Sequence, residues 1–134
     1  MGKLPLIVLS IALIGSNLFW LQKEKKSKLL YTSGIEKIQK KDFKGAAADF
    51  NKALTQNPDD PSAHFGVAWA YQLSGQNPES IKHYARSIAL SEDLLNFSLN
   101  NLQFIEQNMT PPNRAELLGQ KRNALKQLHA ISIQ

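Results

Sequence analysis

The sequence predicts an all-α protein in which an N-terminal transmembrane helix precedes an array of about three helix pairs, seven helices in all. Two patterns carry this prediction. Residues 4–21 contain no charged side chain, which is typical of a membrane-spanning helix. From residue 29 onward, small, aromatic and aliphatic residues recur with a step of 34 positions, and a fixed step of that length indicates stacked helical repeats.

The apolar N-terminal segment is long enough to cross a bilayer as one helix. Its 18 residues rise about 27 Å at 1.5 Å per residue, close to the roughly 30 Å hydrocarbon thickness. A cleaved signal peptide is the alternative. However, the stretch exceeds the about 7–15 apolar residues of that class, and no small-residue cleavage site follows it. We therefore interpret residues 1–22 as a retained transmembrane helix, whereas cleavage would give an exported protein.

A basic segment, residues 23–28, is interpreted as a juxtamembrane linker. Residues 1–28 hold five lysines against one glutamate, whereas residues 29–94 hold seven basic against eight acidic side chains. Because lysines beside a span mark its cytoplasmic side, we expect the N-terminus outside and the repeats on the cytoplasmic side. Charge placed beside a membrane predicts no nucleic-acid partner; a specific anionic-lipid site is a further alternative. The predicted flank is Trp20, Lys23, Lys25, Lys26 and Lys28.

The 34-residue step aligns residues of the same kind. The aligned pairs are Gly34 with Ala68, Ala46 with Ser80, Phe50 with Tyr84, Ala53 with Ser87, and Leu54 with Ile88. This pattern resembles the tetratricopeptide repeat (TPR), which implies antiparallel helix pairs stacked into a right-handed array. Residues 29–60 resemble a first repeat and residues 61–94 a second. Small residues are expected where two helices approach closely.

The second repeat resembles the family most fully. His64, Val67, Ala68 and Tyr71 fall where the family has its W-x2-L-G-x2-Y pattern, and Gly75 falls at the turn. In the first repeat Leu30 stands where the family has tryptophan and Lys37 where it has tyrosine. The resemblance is therefore stronger for residues 61–94.

The C-terminal region, residues 95–134, is predicted to be a third, degenerate helix pair that caps the array. Apolar residues recur at helical spacing over residues 93–107 and again over residues 113–131. The Pro111-Pro112 pair separates the two stretches, because proline cannot continue a helix from within. About three units are needed to bury a continuous core, so this pair is expected to stabilise the stack.

The sequence contains few residues that could act in catalysis or bind a metal ion. The chain has no cysteine and three histidines, which show no metal-ligand spacing. No paired carboxylates, nucleophile motif or glycine-rich phosphate loop is present. His64 is expected to pack between helices, and the Asp59-Asp60 pair to cap the following helix. We therefore predict no enzyme, cofactor, metal or small-molecule substrate.

The resemblance to TPR proteins implies a concave groove lined by the first helix of each repeat, in which another protein binds as a peptide or helix. Carried over residue by residue, the groove consists of Tyr31, Ile35, Ile38, Phe65, Trp69, Gln72, Leu73, Leu99 and Gln103. Exposed aromatic residues are typical interface anchors. Alternatively, Trp69 packs internally or beneath the C-terminal helix. The positions of the family's carboxylate clamp hold no cation, which disfavours recognition of a terminal carboxylate.

These expectations describe a membrane-anchored scaffold that binds another protein. An anchor followed by about three repeats is similar in layout to TPR assembly factors of photosynthetic membrane complexes, which suggests assembly or stabilisation of such a complex. The alternatives are a stoichiometric subunit, whose span itself makes contacts through small residues, and an exported adaptor.

Overall fold

The protein is all-helical, as predicted. A computed structural model describes the backbone of residues 4–109 and 111–132, and the side chains of residues 15–109 and 113–130. Within these ranges the chain forms six helices: α1 (Leu4–Gln39), α2 (Phe43–Gln56), α3 (Pro61–Leu73), α4 (Asn77–Leu90), α5 (Leu95–Gln107) and α6 (Pro111–Ser132). Helices α1 and α2 pack as one pair, α3 and α4 as a second, and α2 packs on α3.

Helix α1 is longer than the sequence pattern predicts. It runs without interruption for 36 residues and includes residues 23–28, which we had interpreted as a linker between two helices. The stretch contains four lysines and a glutamate, which favour helix, and no proline or glycine. A change from apolar to charged composition does not end a helix. The prediction of seven separate helices is therefore wrong at this point.

The predicted membrane span lies largely outside the part of the chain whose side chains are described. Of residues 1–22, only residues 15–22 fall inside it. Across the described residues, no helix has the length and apolar character needed to cross a membrane. Leu18, Phe19, Trp20 and Leu21 are each more than half exposed, so the packed helices leave them uncovered.

The two turns within helix pairs share one backbone conformation. Lys41 has φ of 61° and Gly75, 34 residues later, has φ of 80°. Glycine adopts this left-handed region readily, whereas a lysine does so at a steric cost. The Asp42 side chain then accepts a hydrogen bond from the Gly45 N–H at 2.9 Å and caps α2.

The predicted capping role of the Asp59-Asp60 pair is confirmed for one of its members. The Asp60 Oδ1 accepts hydrogen bonds from the Ser62 and Ala63 N–H groups, at 2.9 and 3.3 Å, at the start of α3. Asp59 instead accepts from Arg86 Nη2 at 2.7 Å. The pair therefore caps one helix and connects the inter-repeat loop to α4.

The first core is centred on Phe50 of α2, which is fully buried. A Cβ atom at Gly34 of α1 would lie 2.6 Å from the Phe50 ring, and one at Gly66 of α3 would lie 2.7 Å from it. Both glycines therefore let a neighbouring helix reach the ring. Ala46 and Ala53 have no exposed surface, which confirms that small residues occur where the helices pack most closely.

An ion pair between half-buried Lys37 and buried Asp49 connects α1 to α2. Asp49 accepts from Ser33 Oγ at 2.6 Å and lies 2.7 Å from Lys37 Nζ. Burial raises the pKa of Asp49, but hydrogen bonds from Lys37 and Ser33 outweigh it and hold the pKa below its usual value. Lys37, which departs from the family pattern, thus has a structural partner.

The C-terminal unit differs from the predicted third pair. Helix α6 packs along α4, and α5 also packs on α4, but the α5 and α6 backbones make few close approaches to each other. Leu117 and Ala124 of α6 are buried in one cluster with Tyr84 and Ile88 of α4. The two helices are tied at Glu106, whose carbonyl accepts from Arg114 Nε at 3.1 Å.

Candidate partner-binding groove

Helices α1, α3 and α5 carry the nine residues that the sequence predicts for a groove. Six of them are half-buried: Tyr31, Ile35, Phe65, Trp69, Gln72 and Leu99. Leu73 and Gln103 are exposed. Ile38 is only 8% exposed and packs in the Phe50 core, so its side chain does not face an open groove. Helical spacing predicts the side of α1 on which Ile38 lies, but it does not predict how completely α2 covers the Ile38 side chain.

The predicted aromatic residues each pack against another aromatic ring. The Phe65 ring centroid is 6.5 Å from that of Trp69 and 5.5 Å from that of Tyr84, the latter in an edge-to-face arrangement. Tyr31 packs on Phe50 with 5.3 Å between ring centroids. Edge-to-face and offset pairs of this kind stabilise aromatic clusters beyond their buried area.

Trp69 is neither free nor covered by the C-terminal helix. It packs against the core cluster of Phe50, Val67 and Ala70 and stays half-buried. Residues of α6 belong to a different cluster. The Trp69 side chain therefore offers part of its surface while its remainder is held by the first two repeats, which suits a preorganised contact.

Gln72 is held in place by Tyr84 of α4. The Tyr84 hydroxyl donates to Gln72 Oε1 at 2.6 Å. Burial raises the pKa of Tyr84, so the phenol stays protonated and able to donate near neutral pH. The carbonyl oxygen of Gln72 is thus engaged, and its NH₂ group is the part left for an incoming acceptor.

One cavity brings the predicted groove and the predicted membrane flank together. It measures about 530 Å³, and its lining includes Trp20, Lys23, Lys28, Tyr31 and Asp60. The Lys23 ammonium lies 5.5 Å from the Trp20 ring centroid, within cation–π range. Burial, and then the nearby charge of Asp60, raises the pKa of Tyr31. Three residues of the predicted flank thus share a cavity with Tyr31, the one groove residue that lines it.

The structure pairs two histidines that sequence reasoning did not connect. His64 of α3 and His83 of α4 lie with their Nδ1 atoms 2.9 Å apart, and His64 Nε2 lies 2.9 Å from the Pro58 carbonyl oxygen. A carbonyl oxygen only accepts, so neutral His64 carries its proton on Nε2 and accepts on Nδ1. His83 therefore donates from Nδ1.

Burial of this pair favours the uncharged state. Burial lowers the pKa of His64, and burial together with the charges of His64 and Lys82 lowers the pKa of His83 to about 4. The pair lies beside a cavity of about 570 Å³ that is also lined by Asn123 and Gln127 of α6. Over the described side chains, no group of three or more His, Asp or Glu residues is arranged to hold a metal ion.

Comparison with known proteins gives one match, which lies within the repeats. Residues 37–92 match the tetratricopeptide repeat family model, a span that covers α2, α3 and α4. No curated protein and no solved structure matches the chain. The all-helical structure and this match show TPR-like repeats, which generally act as non-enzymatic scaffolds that bind other proteins.

Proposed function

We propose that this protein is an adaptor that binds a helix or extended peptide of another protein along α1, α3 and α5. The observation that carries the proposal is the half-buried aromatic series of Tyr31, Phe65 and Trp69. Aromatic side chains held on one side and open on the other are typical binding hot spots, because little conformational entropy is lost when a partner covers them.

The chemistry of this surface favours an apolar partner. Gly66, one of the positions where the family's carboxylate clamp has a polar residue, is buried against Phe50. The other clamp positions also lack a cation: Tyr31, Ile35, Asn96 and Asn100. A partner with aliphatic or aromatic residues at helical spacing fits the groove.

The adaptor is proposed to be held at a membrane by residues 1–22, with the repeats on the cytoplasmic side. The absence of charge over residues 4–21 and the lysines that follow support this anchor. Because α1 continues from Leu4 to Gln39, a rigid helix of about 54 Å would connect anchor and groove. Such tethering raises the effective concentration of the groove near other membrane proteins, which suits assembly or stabilisation of a membrane complex such as a photosynthetic one.

Affinity capture from the native membrane with quantitative identification of partners tests the groove. Leu73→Asp places a charge at an exposed groove position, and Trp69→Ala removes the central ring. We expect both variants to lose the same partners. Leu125→Asp on α6 is the matched control, because Leu125 is 40% and Leu73 43% exposed. Equal recovery by the wild type and both groove variants would refute groove binding.

A stoichiometric subunit of a membrane complex is the second candidate. The predicted span carries the small residues Ser10, Ala12, Gly15 and Ser16, and such residues let transmembrane helices approach closely. Replacing residues 4–21 with polyleucine separates the candidates: an adaptor keeps its partners, whereas a subunit loses its place in the complex. N-terminal sequencing of the mature protein tests the exported alternative, which requires cleavage of the leader.

A further inference from the structure

His64 of α3 and His83 of α4 point their Nδ1 atoms at each other. The two nitrogens are 2.9 Å apart, and the ring centroids are 5.2 Å apart. This centroid separation is about the largest that such a nitrogen contact permits, so both Nδ1 atoms lie close to the line that joins the ring centres. The lone pair of an imidazole nitrogen lies in the ring plane and points away from the ring centre. Both Nδ1 lone-pair directions therefore converge on one point between the two helices.

The surroundings of the two rings suit a metal ion. His64 Nε2 donates to the Pro58 carbonyl oxygen at 2.9 Å, which is the outer hydrogen bond that metal-binding histidines commonly make. This bond fixes the tautomer of His64 whose Nδ1 carries a lone pair. Both half-buried rings lie beside the cavity of about 570 Å³, through which an ion can reach them. Burial also keeps both histidines uncharged near neutral pH, so protons compete little for the nitrogens.

We propose that His64 and His83 bind one monovalent copper ion, Cu(I), between their Nδ1 atoms in linear, two-coordinate geometry. A metal–imidazole bond is about 2 Å long, so the two nitrogens must separate from 2.9 Å to about 4 Å. The His83 proton moves from Nδ1 to Nε2, and His64 keeps its proton on Nε2. No proton is released, and the site gains one positive charge. None of the nine predicted groove residues takes part, so the site does not depend on the proposed adaptor function.

The number of ligands and the local charge favour a monovalent ion over a divalent one. Zinc takes three or four protein ligands, whereas the described side chains provide no group of three His, Asp or Glu residues. The positive charges of Arg86 and Lys82 act on the pair and repel a divalent ion twice as strongly as a monovalent one. Imidazole is a good ligand for copper, and Cu(I), with its filled d shell, accepts two ligands in line. The ligands are 19 residues apart on different helices, so sequence spacing does not reveal them.

Titration with Ag(I) tests the site first, because Ag(I) prefers the same linear geometry and needs no reductant. The chain contains no cysteine to compete for the ion. Calorimetry of the full-length protein in detergent and chloride-free buffer should show that His64→Gln and His83→Gln each weaken the strongest binding by about tenfold or more. Asn123→Ala, a control in the lining of the same cavity, should leave the affinity unchanged. Equal affinity in the wild type and both histidine variants would overturn the proposal.

A second measurement uses the unsubstituted protein and does not depend on how the variants fold. Nitrogen-15 NMR should show that one equivalent of Ag(I) shifts the Nδ1 signals of both His64 and His83. X-ray absorption of the protein loaded with one equivalent of Cu(I) should show two nitrogen neighbours at about 2 Å. Zn(II) should bind the pair more weakly than Ag(I) does. A shift at only one of the two histidines, three or more copper neighbours, or tighter binding of Zn(II) would contradict the linear site.

Discussion

Helices α3 and α5 occupy equivalent positions in successive units, yet they differ in how their side chains are used. In α3 the face that contains Ala63, Gly66 and Ala70 is buried against the first repeat. In α5 the residues 34 positions later are Phe97, Asn100 and Phe104, and all three are exposed. Side-chain volume explains the difference, because the close approach that alanine and glycine permit has no room for two phenylalanine rings.

This contrast divides the molecule into a closed part, helices α1 to α4, and an open part, helix α5. Helices α1 to α3 bury Phe50 completely in one core, and Tyr84 of α4 is fully buried in the second core, which α5 and α6 also join. At the other end, α5 buries Leu102 and Ile105 but leaves its two phenylalanines uncovered. Stability is thus expected to come from the first two repeats, and surface for binding from the last unit and the groove.

The largest predicted effect contrasts two phenylalanines. Phe50→Ala should lower the free energy of unfolding by about 3–5 kcal/mol, because it empties the centre of a core. Phe104→Ala should change it by less than about 0.5 kcal/mol, because the ring is exposed. Urea unfolding of the full-length protein in detergent measures both. Similar losses for the two variants would contradict the contrast.

Two glycine-to-alanine substitutions, one in each kind of environment, are expected to change stability in opposite directions. Gly66→Ala places a Cβ 2.7 Å from the Phe50 ring and should cost about 1–3 kcal/mol through overpacking. At Gly119 of α6 a Cβ meets nothing within 4 Å, so Gly119→Ala should stabilise by about 0.5–1 kcal/mol through helix propensity. Thermal unfolding distinguishes the signs. A stabilising Gly66→Ala would show that α3 does not approach Phe50 closely.

Much of the helix packing in the closed part can be predicted from the sequence, because the packing depends on side-chain size. The recurrence of Gly34, Ala46 and Ala53 at fixed register indicates close helix packing, and those residues do lie in the cores. The sequence pattern predicts an end of α1 near residue 22 that does not exist, because a change from apolar to charged composition does not end a helix. The packing of α6 along α4 could not be predicted either, since an amphipathic stripe indicates that one side of a helix is buried but not which helix it packs against.

For the groove, the sequence predicts which side of each helix faces it, but not how exposed each side chain is. Trp69 and Phe65 are half-buried, and the burial of Ile38 depends on the depth to which α2 packs, which register does not give. The histidine pair was missed because residues 64 and 83 share no short motif. The two histidines come together because α3 and α4 pack antiparallel, as the hydrogen bond from Ser80 Oγ to the Ala68 carbonyl at 2.8 Å shows.

A smaller effect than that of Gly66→Ala is expected from pH. The pKa of folded His83 is about 4, below its ordinary 6.5, owing to burial and to the charges of His64 and Lys82. The unfolded chain therefore binds more protons between these values, and the free energy of unfolding should fall as pH drops from 6.5 towards 4. Partial exposure reduces the effect.

Urea unfolding across this pH range, with the wild type and His83→Gln, isolates the histidine contribution. The variant should show a shallower loss of stability at acidic pH. If His83→Gln and the wild type have the same pH dependence, the buried pair is not the cause.

The smallest predicted effect concerns the two intra-pair turns. Lys41 has a left-handed φ, so Lys41→Gly should stabilise by about 0.5–1 kcal/mol. Gly75→Ala, at the equivalent position, should destabilise by at least a similar amount. Thermal unfolding of both variants tests the shared turn, and destabilisation by Lys41→Gly would argue against it.

Hydrogen–deuterium exchange of the full-length protein tests the division into closed and open parts most directly. Amides of α3 should exchange only through global unfolding, whereas those of α5 should exchange faster through local opening, because fewer buried contacts hold that helix. Phe50→Ala should accelerate α3 strongly, and Phe104→Ala should leave it unchanged. Equal protection of α3 and α5, or slower exchange in α5, would contradict the account.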